Sequence, residues 1–408
     1  MRKTTIILIS ILISSIKLFA QEGPQWNQGN IEQQNYFLEI PYTEVGEKII
    51  IEVEIDNKLR KFIFDTGAGF SALISEKLYQ EMQSNSIHQL DVYDSSGQAD
   101  SMKTLLLPLL KINELSFTDI FSIVANNSSG GFILECFDVD GMLGSGLFKN
   151  SIVQIDSRNK VMIITDDKDK LQLNPELSNE MKLEPQSSLP IITTLLIKED
   201  QGVALELLFD TGDNSFFTIS KSNYHFFVEN NFNIFDKISE SEGATSFGLH
   251  GPVKQHHYLL TLSGLAVDES TLFKDLVVRT THTDNSRIGS EILKYGKITL
   301  DYKNRLFYFE NYDNIFEINL TEKVWQIEPT VENNKFVVGI IWDKSLINEI
   351  NVGDEILKFD DTDYQNKNIC EIMLMAKESK KQEADVTLKD IKTNEIKTVK
   401  IRRLSTNP

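Results

Sequence analysis

Cysteine is scarce in this chain of 408 residues, which has only Cys136 and Cys370. A small disulfide-held scaffold is therefore excluded, because such scaffolds carry several cysteine pairs in a short chain. An exported protein can pair two cysteines, but these two lie in segments that we assign to different domains. We predict that both are free thiols and that hydrophobic cores stabilise two or three domains.

Basic residues are also in deficit, since 41 Lys and Arg face 60 Asp and Glu, for a formal net charge of −19 at pH 7. Such an acidic surface repels nucleic acid and anionic lipid, so neither is expected as a partner. The negative charge could serve to attract basic peptides or simply to give high solubility, and both explanations stay open. The composition, 41% hydrophobic and 25% charged, is that of a globular protein.

Long hydrophobic runs are missing after residue 20, so no membrane span is predicted in the mature chain. Residues 1–20 are different, because Arg2 and Lys3 precede the apolar run "TTIILISILISSI" and then "KLFA". A charged start, a short apolar core and a small residue at the end are typical of a signal peptide. We predict an exported protein, periplasmic or secreted, with an uncleaved N-terminal membrane anchor as the alternative.

The sequence contains the same motif twice, as "FIFDTGA" at 62–68 and "LLFDTGD" at 207–213. Asp65 and Asp210 are 145 positions apart. The same separation relates further pairs downstream: Gly144 and Gly289, Asp156 and Asp301, and Asn159 and Asn304. "FTDIFSIV" at 117–124 matches "FKDLVV" at 273–278 at a larger offset. These repeats predict an internal duplication, with an insertion in the second copy that is later compensated.

Short apolar or alternating runs, broken by Asn, Asp, Gly and Ser, predict a β-rich chain. "IDNKLR" predicts a hairpin just before the first Asp-Thr-Gly. The stretches that follow Ser75 and Ser220 are the ones that begin like helices, each with a serine available as N-cap.

An apolar strand that ends in Asp-Thr-Gly, followed later by "MLG" at 142–144 or "RIG" at 287–289, resembles retropepsin-like and pepsin-like aspartic peptidases. The stretch "IPYTEVGEKIIIEVEIDNKLRKFIFDTGAG" is most similar to exported bacterial aspartyl proteases with a C-terminal PDZ domain. One Asp-Thr-Gly is a weak signal, but two copies with matched flanks are specific. The resemblance implies a mainly β, bilobal, duplicated acid-protease fold, followed by a small α+β PDZ-like domain.

On this basis the chain divides into six segments. We predict a signal peptide at 1–20, an N-terminal extension at 21–34, peptidase lobe 1 at 35–165, an interlobe linker at 166–189, lobe 2 at 190–312 and a PDZ-like domain at 313–408. A one-lobe retropepsin must dimerise to bring two motifs together. Here one chain holds both lobes, so we expect a monomer.

The resemblance implies that Asp65 and Asp210 are the catalytic residues. Two carboxylates at close range share one proton and have pKa values that are pushed apart. Such a pair activates a water molecule for attack on a peptide carbonyl, with acid and base roles that belong to the coupled pair. No cofactor or metal is needed.

The remaining motif residues are expected to support this dyad. Thr66 and Thr211 would hydrogen-bond across the lobe interface, while Gly67 and Gly212 let each loop approach the other.

Position four of the motif differs between the lobes. Ala68 matches the retropepsin-like version of the motif, whereas Asp213 departs from the usual Ser, Thr or Ala. A third carboxylate there either raises the pKa of the dyad or marks a lobe that has lost activity.

Two predicted β-hairpin flaps would close over the substrate. Ser96 and Gly97 lie at the first tip, in "SSGQAD" at 95–100, and Phe247 and Gly248 lie at the second, in "SFGLHG" at 246–251. Ordinary exposed hairpins are the alternative.

The C-terminal segment contains "NVGDEILKFDD", which fits the Gly-Asp-x-Ile-Leu segment of bacterial PDZ domains. The stretch at 320–325, "LTEKVW", lacks the glycines whose N–H groups capture a peptide C-terminus. A packing or substrate-positioning module and a working peptide clamp therefore both stay open, as does a hairpin-rich accessory domain of another kind.

Two further groups of residues are weaker candidates for ligand sites. His250, His256 and His257 lack the spacing of a zinc peptidase, so we predict a solvated loop there. "DVDG" at 138–141 begins like a calcium loop but has no glutamate at the final ligand position.

The sequence thus predicts an exported, monomeric aspartic endopeptidase that acts on a peptide or protein substrate. A non-catalytic peptide-binding protein, with the PDZ-like domain as adaptor, is the alternative from another class. A processing factor that cuts a single partner is a third.

Overall fold

The computed structural model describes residues 25–83, 86, 88–93, 99–126, 130–244, 247–248, 251–252, 254–320, 323–375 and 381–404. The predicted signal peptide lies outside these ranges. Strands make up most of the described chain, so the predicted mainly β fold is confirmed. Within these ranges, no helix combines the length and the apolar character that a membrane crossing requires.

The first half of the chain forms one lobe. Its elements are β1 (Asn30–Ile31), β2 (Phe37–Pro41), β3 (Thr43–Val45), β4 (Lys48–Ile55), β5 (Lys58–Asp65), β6 (Ala72–Ser75), α1 (Glu76–Glu81), β7 (His88–Tyr93), β8 (Ala99–Ile112), β9 (Leu115–Ala125), α2 (Gly131–Cys136), β10 (Gly141–Gly144), a 3₁₀ turn (Ser145–Phe148), β11 (Ile152–Asp156) and β12 (Val161–Thr165).

The middle of the chain repeats this pattern. After short 3₁₀ turns at Lys168–Lys170 and Pro175–Leu177 come β13 (Ser178–Leu183), β14 (Pro190–Lys198), β15 (Gln201–Asp210), β16 (Phe217–Ser220), α3 (Lys221–Glu229), β17 (Phe235–Gly243), β18 (Phe247–Gly248), β19 (Gly251–Pro252), β20 (Gln255–Ala266), β21 (Leu272–Thr281), β22 (Arg287–Gly289), a 3₁₀ turn (Ser290–Lys294), β23 (Gly296–Asp301), β24 (Leu306–Asn311) and β25 (Glu317–Asn319).

The two lobes share one strand topology. In lobe 1, β5 pairs with β4 and with β10, and β10 also pairs with β6. In lobe 2, β15 pairs with β14 and β22, and β22 also pairs with β16. The parallel pairs β6–β9 and β16–β21 complete the repeat, with Ile74 opposite Val124 and Ile219 opposite Thr280. The greater sequence separation in the second pair places the predicted insertion between β16 and β21.

Local sequence signals define the element ends. Asp56 and Asn57 both have φ above +50° between β4 and β5, as the predicted tight hairpin requires. The side chains of Ser75 and Ser220 accept hydrogen bonds from backbone N–H groups in the first turns of α1 and α3, so both predicted N-caps are confirmed. Helix α2 was not predicted, because it is a single short helix that begins after Gly130 without a side-chain cap.

Strands in the order β13-β24-β23-β11-β12-β2 join the two lobes, and this sheet continues into lobe 2 through the pairing of β13 with β14. At its centre β11 pairs with β23, and the Gln154 Nε2 atom donates a hydrogen bond of 2.8 Å to Thr299 Oγ1. These two residues are 145 positions apart, so the approximate twofold axis of the duplication passes between β11 and β23. Strand β13 lies within the segment that we predicted as a linker, and it pairs with both β14 and β24.

The remaining elements form a separate sheet with its own hydrophobic core, and we call this part of the chain the C-terminal sheet domain. They are β26 (Ile327–Glu332), β27 (Lys335–Ile341), a 3₁₀ turn (Lys344–Leu346), β28 (Glu355–Phe359), β29 (Thr362–Asp363), α4 (Ile369–Leu374), β30 (Glu383–Lys389) and β31 (Ile396–Arg402). Gly353 has φ of 95° in the turn before β28, where a left-handed conformation favours glycine. The fully buried Asp354 accepts hydrogen bonds from the backbone of Asn351 and Ile391, which closes this turn.

The prediction of two free thiols was wrong, because Cys136 and Cys370 form a disulfide. The bond joins α2 of lobe 1 to α4 of the C-terminal sheet domain, across a sequence separation of 234 residues. Both cysteines lie in hydrophobic surroundings beside Phe137 and Met373. The C-terminal sheet domain is thus covalently attached to lobe 1.

The C-terminal sheet domain also contacts lobe 2. The backbone N–H of Ala244 donates to Gly339 O at 3.1 Å, and Arg279 forms an ion pair of 2.6 Å with Glu328. Lys254 lies 3.0 Å from Glu332, the last residue of β26, and β19 also contacts β26. The domain therefore contacts both lobes.

Candidate active site

Asp65 and Asp210 are the last residues of β5 and β15. Each is paired, in a parallel ladder, with the glycine that ends a short neighbouring strand: Gly144 for Asp65 and Gly289 for Asp210. The equivalent pairing in both lobes follows from the duplication. It places the two Asp-Thr-Gly loops face to face between the lobes.

The two threonines hydrogen-bond reciprocally across the interface. The backbone N–H of Thr66 donates to Thr211 Oγ1 at 3.0 Å, and the N–H of Thr211 donates to Thr66 Oγ1 at 3.0 Å. Each hydroxyl in turn donates across the interface, Thr66 to Phe209 O at 2.8 Å and Thr211 to Phe64 O at 3.0 Å. Both threonines are fully buried, so these four bonds fix the two loops in register.

The two glycines allow each carboxylate to lie against the opposite loop. A Cβ atom on Gly67 would lie 2.1 Å from Asp210 Oδ1, and one on Gly212 would lie 2.4 Å from Asp65 Oδ2. Each glycine also donates its backbone N–H to the aspartate of its own loop at 2.9 Å. Any side chain at these positions would displace a carboxylate.

The environment of the pair raises both carboxyl pKa values. Burial, followed by the negative charge of Asp210, raises the pKa of Asp65 to about 7. Burial also raises the pKa of Asp210, which is only 5% exposed, while Arg287 and Lys48 oppose that increase. Burial therefore favours the protonated form of each carboxyl group to a higher pH than in an exposed aspartic acid.

The two residues at position four of the motif differ in what they contribute. Ala68 is buried and its backbone N–H donates to Asp65 O at 3.3 Å. The Asp213 carboxylate accepts hydrogen bonds from the backbone N–H and hydroxyl of Ser215, at 2.8 and 2.7 Å. Asp213 thus closes the loop through Ser215, and its charge adds to the increase in the pKa of Asp210.

Two cations at the site were not predicted from the sequence. Arg287 Nη1 lies 3.0 Å from Asp210 Oδ2, and Lys48 donates hydrogen bonds to Gly212 O and Asn214 Oδ1. A signal for the arginine was present, since "RIG" carries a charge where lobe 1 has the methionine of "MLG". Lys48 gave no such signal, because it reaches the site from the other lobe.

A further group outside the motif supports the first loop. Ser145 Oγ donates to Thr66 O at 2.7 Å and lies 3.0 Å from the hydroxyl of the buried Tyr302. Ser145 directly follows the glycine that pairs with Asp65. The loop of lobe 1 is thereby connected to the interlobe sheet.

The predicted flaps fall on two equivalent hairpins, β7–β8 and β17–β20. The tip residues Ser96 and Gly97 lie outside the described residues. Phe247 and Gly248 form β18, which pairs with β19. Because β19 lies against β26, the second hairpin reaches the C-terminal sheet domain.

The predicted solvated histidine loop is wrong for the two histidines that the structure describes. His256 and His257 belong to β20, and His257 is buried, with its Nδ1 atom 3.2 Å from Thr280 O. His250 lies outside the described residues. In the part of the chain that the structure describes, no group of three or more His, Cys, Asp or Glu side chains is arranged to hold a metal ion.

Comparison with solved structures finds two aspartic proteases among the matches. A retropepsin-like aspartic protease from Rickettsia conorii is 16% identical, with a TM-score of 0.24, and the match covers 34% of this chain and 92% of that one. An aspartic proteinase from Irpex lacteus is 11% identical, with a TM-score of 0.40, and covers 68% of this chain and 97% of that one. No protein-family model and no curated protein matches the sequence.

Proposed function

We propose that this protein is an aspartic endopeptidase that hydrolyses peptide bonds through a water molecule activated by Asp65 and Asp210. One observation carries the proposal. Two carboxyl groups from duplicated loops interact directly, each against the glycine of the other loop, inside a reciprocal threonine network. An arrangement that brings two acids together in a buried site costs stability, so a chemical use for the pair is its simplest explanation.

The chemistry follows from a dyad that shares one proton. The ionised carboxylate takes a proton from water as the water oxygen bonds to the peptide carbonyl carbon, and the protonated carboxyl gives its proton to the carbonyl oxygen. The resulting diol returns a proton to the second carboxylate. The C–N bond then breaks as the first carboxyl protonates the leaving nitrogen, which restores the dyad.

We further propose that the protein is exported as a monomer and that its C-terminal sheet domain is PDZ-like. Support for export comes from residues 1–20 and from the disulfide, since such bonds persist in oxidising compartments. Support for the domain comes from the "NVGDEIL" turn with Gly353 and from α4 beside the sheet. Its contacts with both lobes favour a packing or substrate-positioning role over an independent peptide clamp.

A non-catalytic peptide-binding protein is the second candidate. The observation that favours it is the ion pair of Arg287 with Asp210, which gives one dyad oxygen a permanent cationic partner. Such a protein would keep the cleft between the lobes and bind peptides without cutting them.

The test is incubation of the mature protein with a mixed peptide library from pH 3 to 8, beside the variants Asp65→Asn and Asp210→Asn. The peptidase proposal expects new peptide ends with the wild type and loss of cleavage in both variants. Cleavage that persists in either variant, or peptides that are retained uncut across the whole pH range, would reject it. Circular dichroism of each variant verifies that it is folded.

A further inference from the structure

The two lobes differ at one position next to the dyad. Met142 in β10 pairs with Ile63, two residues before Asp65, and Arg287 in β22 pairs with Leu208, two residues before Asp210. The equivalent positions therefore carry a buried apolar side chain in lobe 1 and a guanidinium that contacts the aspartate in lobe 2. Met142 belongs to the apolar cluster of lobe 1.

The Arg287 contact is buried and specific. Its Nη1 atom lies 3.0 Å from Asp210 Oδ2, and the two side chains are 13% and 7% exposed. Asp210 Oδ1 accepts the N–H of Gly212, so each oxygen of this carboxylate has a donor in its own lobe. The oxygen contacts described for Asp65 include the N–H of Gly67 but no cation. An arginine partner favours the charged form of a carboxylate and opposes the effect of burial.

A second cation, Lys48, contacts the loop that carries Asp210, and its charge lowers the pKa of both aspartates. Lys48 at the start of β4 donates to the backbone and side chain of the lobe 2 loop, at Gly212 and Asn214. Ile50 pairs with Ile63 in lobe 1 just as Ile191 pairs with Leu208 in lobe 2. Lys48 lies two residues before Ile50, so its equivalent in lobe 2 is Leu189. Among the residues that the structure describes, Arg287 and Lys48 therefore both contact the loop that carries Asp210.

Four charged groups face Asp210 from the surrounding elements: Arg287 on β22, Lys48 on β4, Asp213 on its own loop and Asp65 on the opposite loop. Two are cationic and two are acidic. Asp213 is turned toward Ser215, whereas Arg287 touches the carboxylate directly. The nearest cation thus favours ionisation of Asp210, and the negative charge of Asp210 then favours the protonated form of Asp65.

We propose that Arg287 is a positioning residue that decides which aspartate is ionised, so that Asp210 is the base and Asp65 carries the shared proton. This inference rests on the proposed peptidase function. In that reaction Asp210 accepts the proton of the attacking water, and Asp65 protonates the carbonyl oxygen. Arg287 acts through Asp210 and also sets the pH range of the singly protonated dyad.

The test compares the pH dependence of kcat/KM and kcat for the wild type, Arg287→Met and Arg287→Lys. The methionine variant recreates the residue of lobe 1, and the lysine variant keeps the charge. The Arg279→Met variant is the matched control, because Arg279 lies in an ion pair of lobe 2 with Glu328, outside the dyad. For Arg287→Met, we expect the acidic limb of the pH profile of kcat/KM to shift to higher pH by about 1 to 3 units. The reason is that loss of an adjacent cation makes a carboxyl group harder to ionise. The lysine variant should move less, and the control should keep the wild-type limb.

A second readout does not depend on turnover. Carbon-13 NMR of protein labelled at the Asp carboxyl carbons, assigned with Asp65→Asn and Asp210→Asn, follows both titrations in the free protein. We expect Asp210 to ionise at the lower pH in the wild type, and this order to be lost in Arg287→Met. Simultaneous titration in the wild type, or an unchanged order in the variant, would overturn the inference. If the wild type cleaves no peptide, the peptidase proposal fails while this titration still decides the role of Arg287.

Discussion

Thr66 and Thr211 form two reciprocal hydrogen bonds, in which the backbone N–H of each donates to the side-chain hydroxyl of the other at 3.0 Å. They are 145 positions apart and come from different lobes. Because each also donates to a strand carbonyl of the opposite lobe, the pair connects β5 to β15 where the aspartates are held. The relative position of the two aspartates therefore depends on this threonine pair.

Replacement of Thr66 by valine should destabilise the protein by about 1 to 3 kcal/mol, because it leaves the N–H of Thr211 and the carbonyl of Phe209 buried without partners. The free energy of unfolding from urea denaturation measures the effect. The control is Thr398→Val on β31, an exposed threonine paired with Thr387, which should change stability by less than about 0.5 kcal/mol. Equal effects at the two sites would contradict a structural role for the crossed pair.

Alanine at Gly67 or Gly212 should abolish peptide cleavage. The new Cβ atom would lie within 2.1 or 2.4 Å of the opposite carboxylate, and the reciprocal threonine bonds prevent the loops from separating. The measurement is kcat/KM on a peptide that the wild type cuts. Gly202→Ala on β15 is the matched control, since its nearest neighbour is a leucine side chain at 3.3 Å and activity should persist. Active Gly67→Ala protein would show that the loops are looser than this structure indicates.

Asp65→Asn should stabilise the protein above pH 7. A pKa raised from 3.8 to about 7 means that the folded state prefers protonated Asp65, so the stability from this preference is complete below about pH 4 and is lost as the pH rises through 7. Asparagine avoids that loss, and we expect a gain on the order of 4 kcal/mol at pH 8 that vanishes near pH 4.

Thermal unfolding of both proteins from pH 4 to 8 measures this difference. The control is Asp361→Asn, whose side chain is 96% exposed and which should follow the wild type at every pH. A pH-independent difference between Asp65→Asn and the wild type would contradict the raised pKa.

The Cys136–Cys370 bond should leave no free thiol in the protein and should stabilise its folded state. Alkylation of the denatured, unreduced protein should label neither cysteine, as mass spectrometry can measure. The double variant Cys136→Ser, Cys370→Ser should lose about 3 to 5 kcal/mol, because the disulfide closes a long loop in the unfolded chain. Two labelled cysteines in protein that was refolded under oxidising conditions would contradict the bond.

The duplication and the dyad loops were predictable because their signals are local. The repeated Asp-Thr-Gly with matched flanks, the Asp56-Asn57 turn and the serine caps each specify structure within a few residues. Strand β13 was missed because "SNEMKL" has weak strand propensity and is held by its pairing with β14 and β24.

The electrostatics of the site were less predictable, since they depend on contacts between distant residues. Arg287 lies 77 positions from Asp210, and Lys48 lies 164 positions from Gly212. The disulfide joins residues whose spacing carries no pattern, and α2 and α4, which carry its cysteines, are each too short for a helical period to be visible. Such features follow from the assembled fold and not from any single segment.

The central claim is that Asp65 and Asp210 act as one centre. It is tested most directly by kcat on one cleaved peptide for Asp65→Asn, Asp210→Asn and the double variant, because residues that share one step lose activity non-additively. We expect each single variant to lose at least about 1,000-fold in kcat and the double variant to lose no more. Substantial activity in either single variant, or losses that multiply in the double variant, would contradict it.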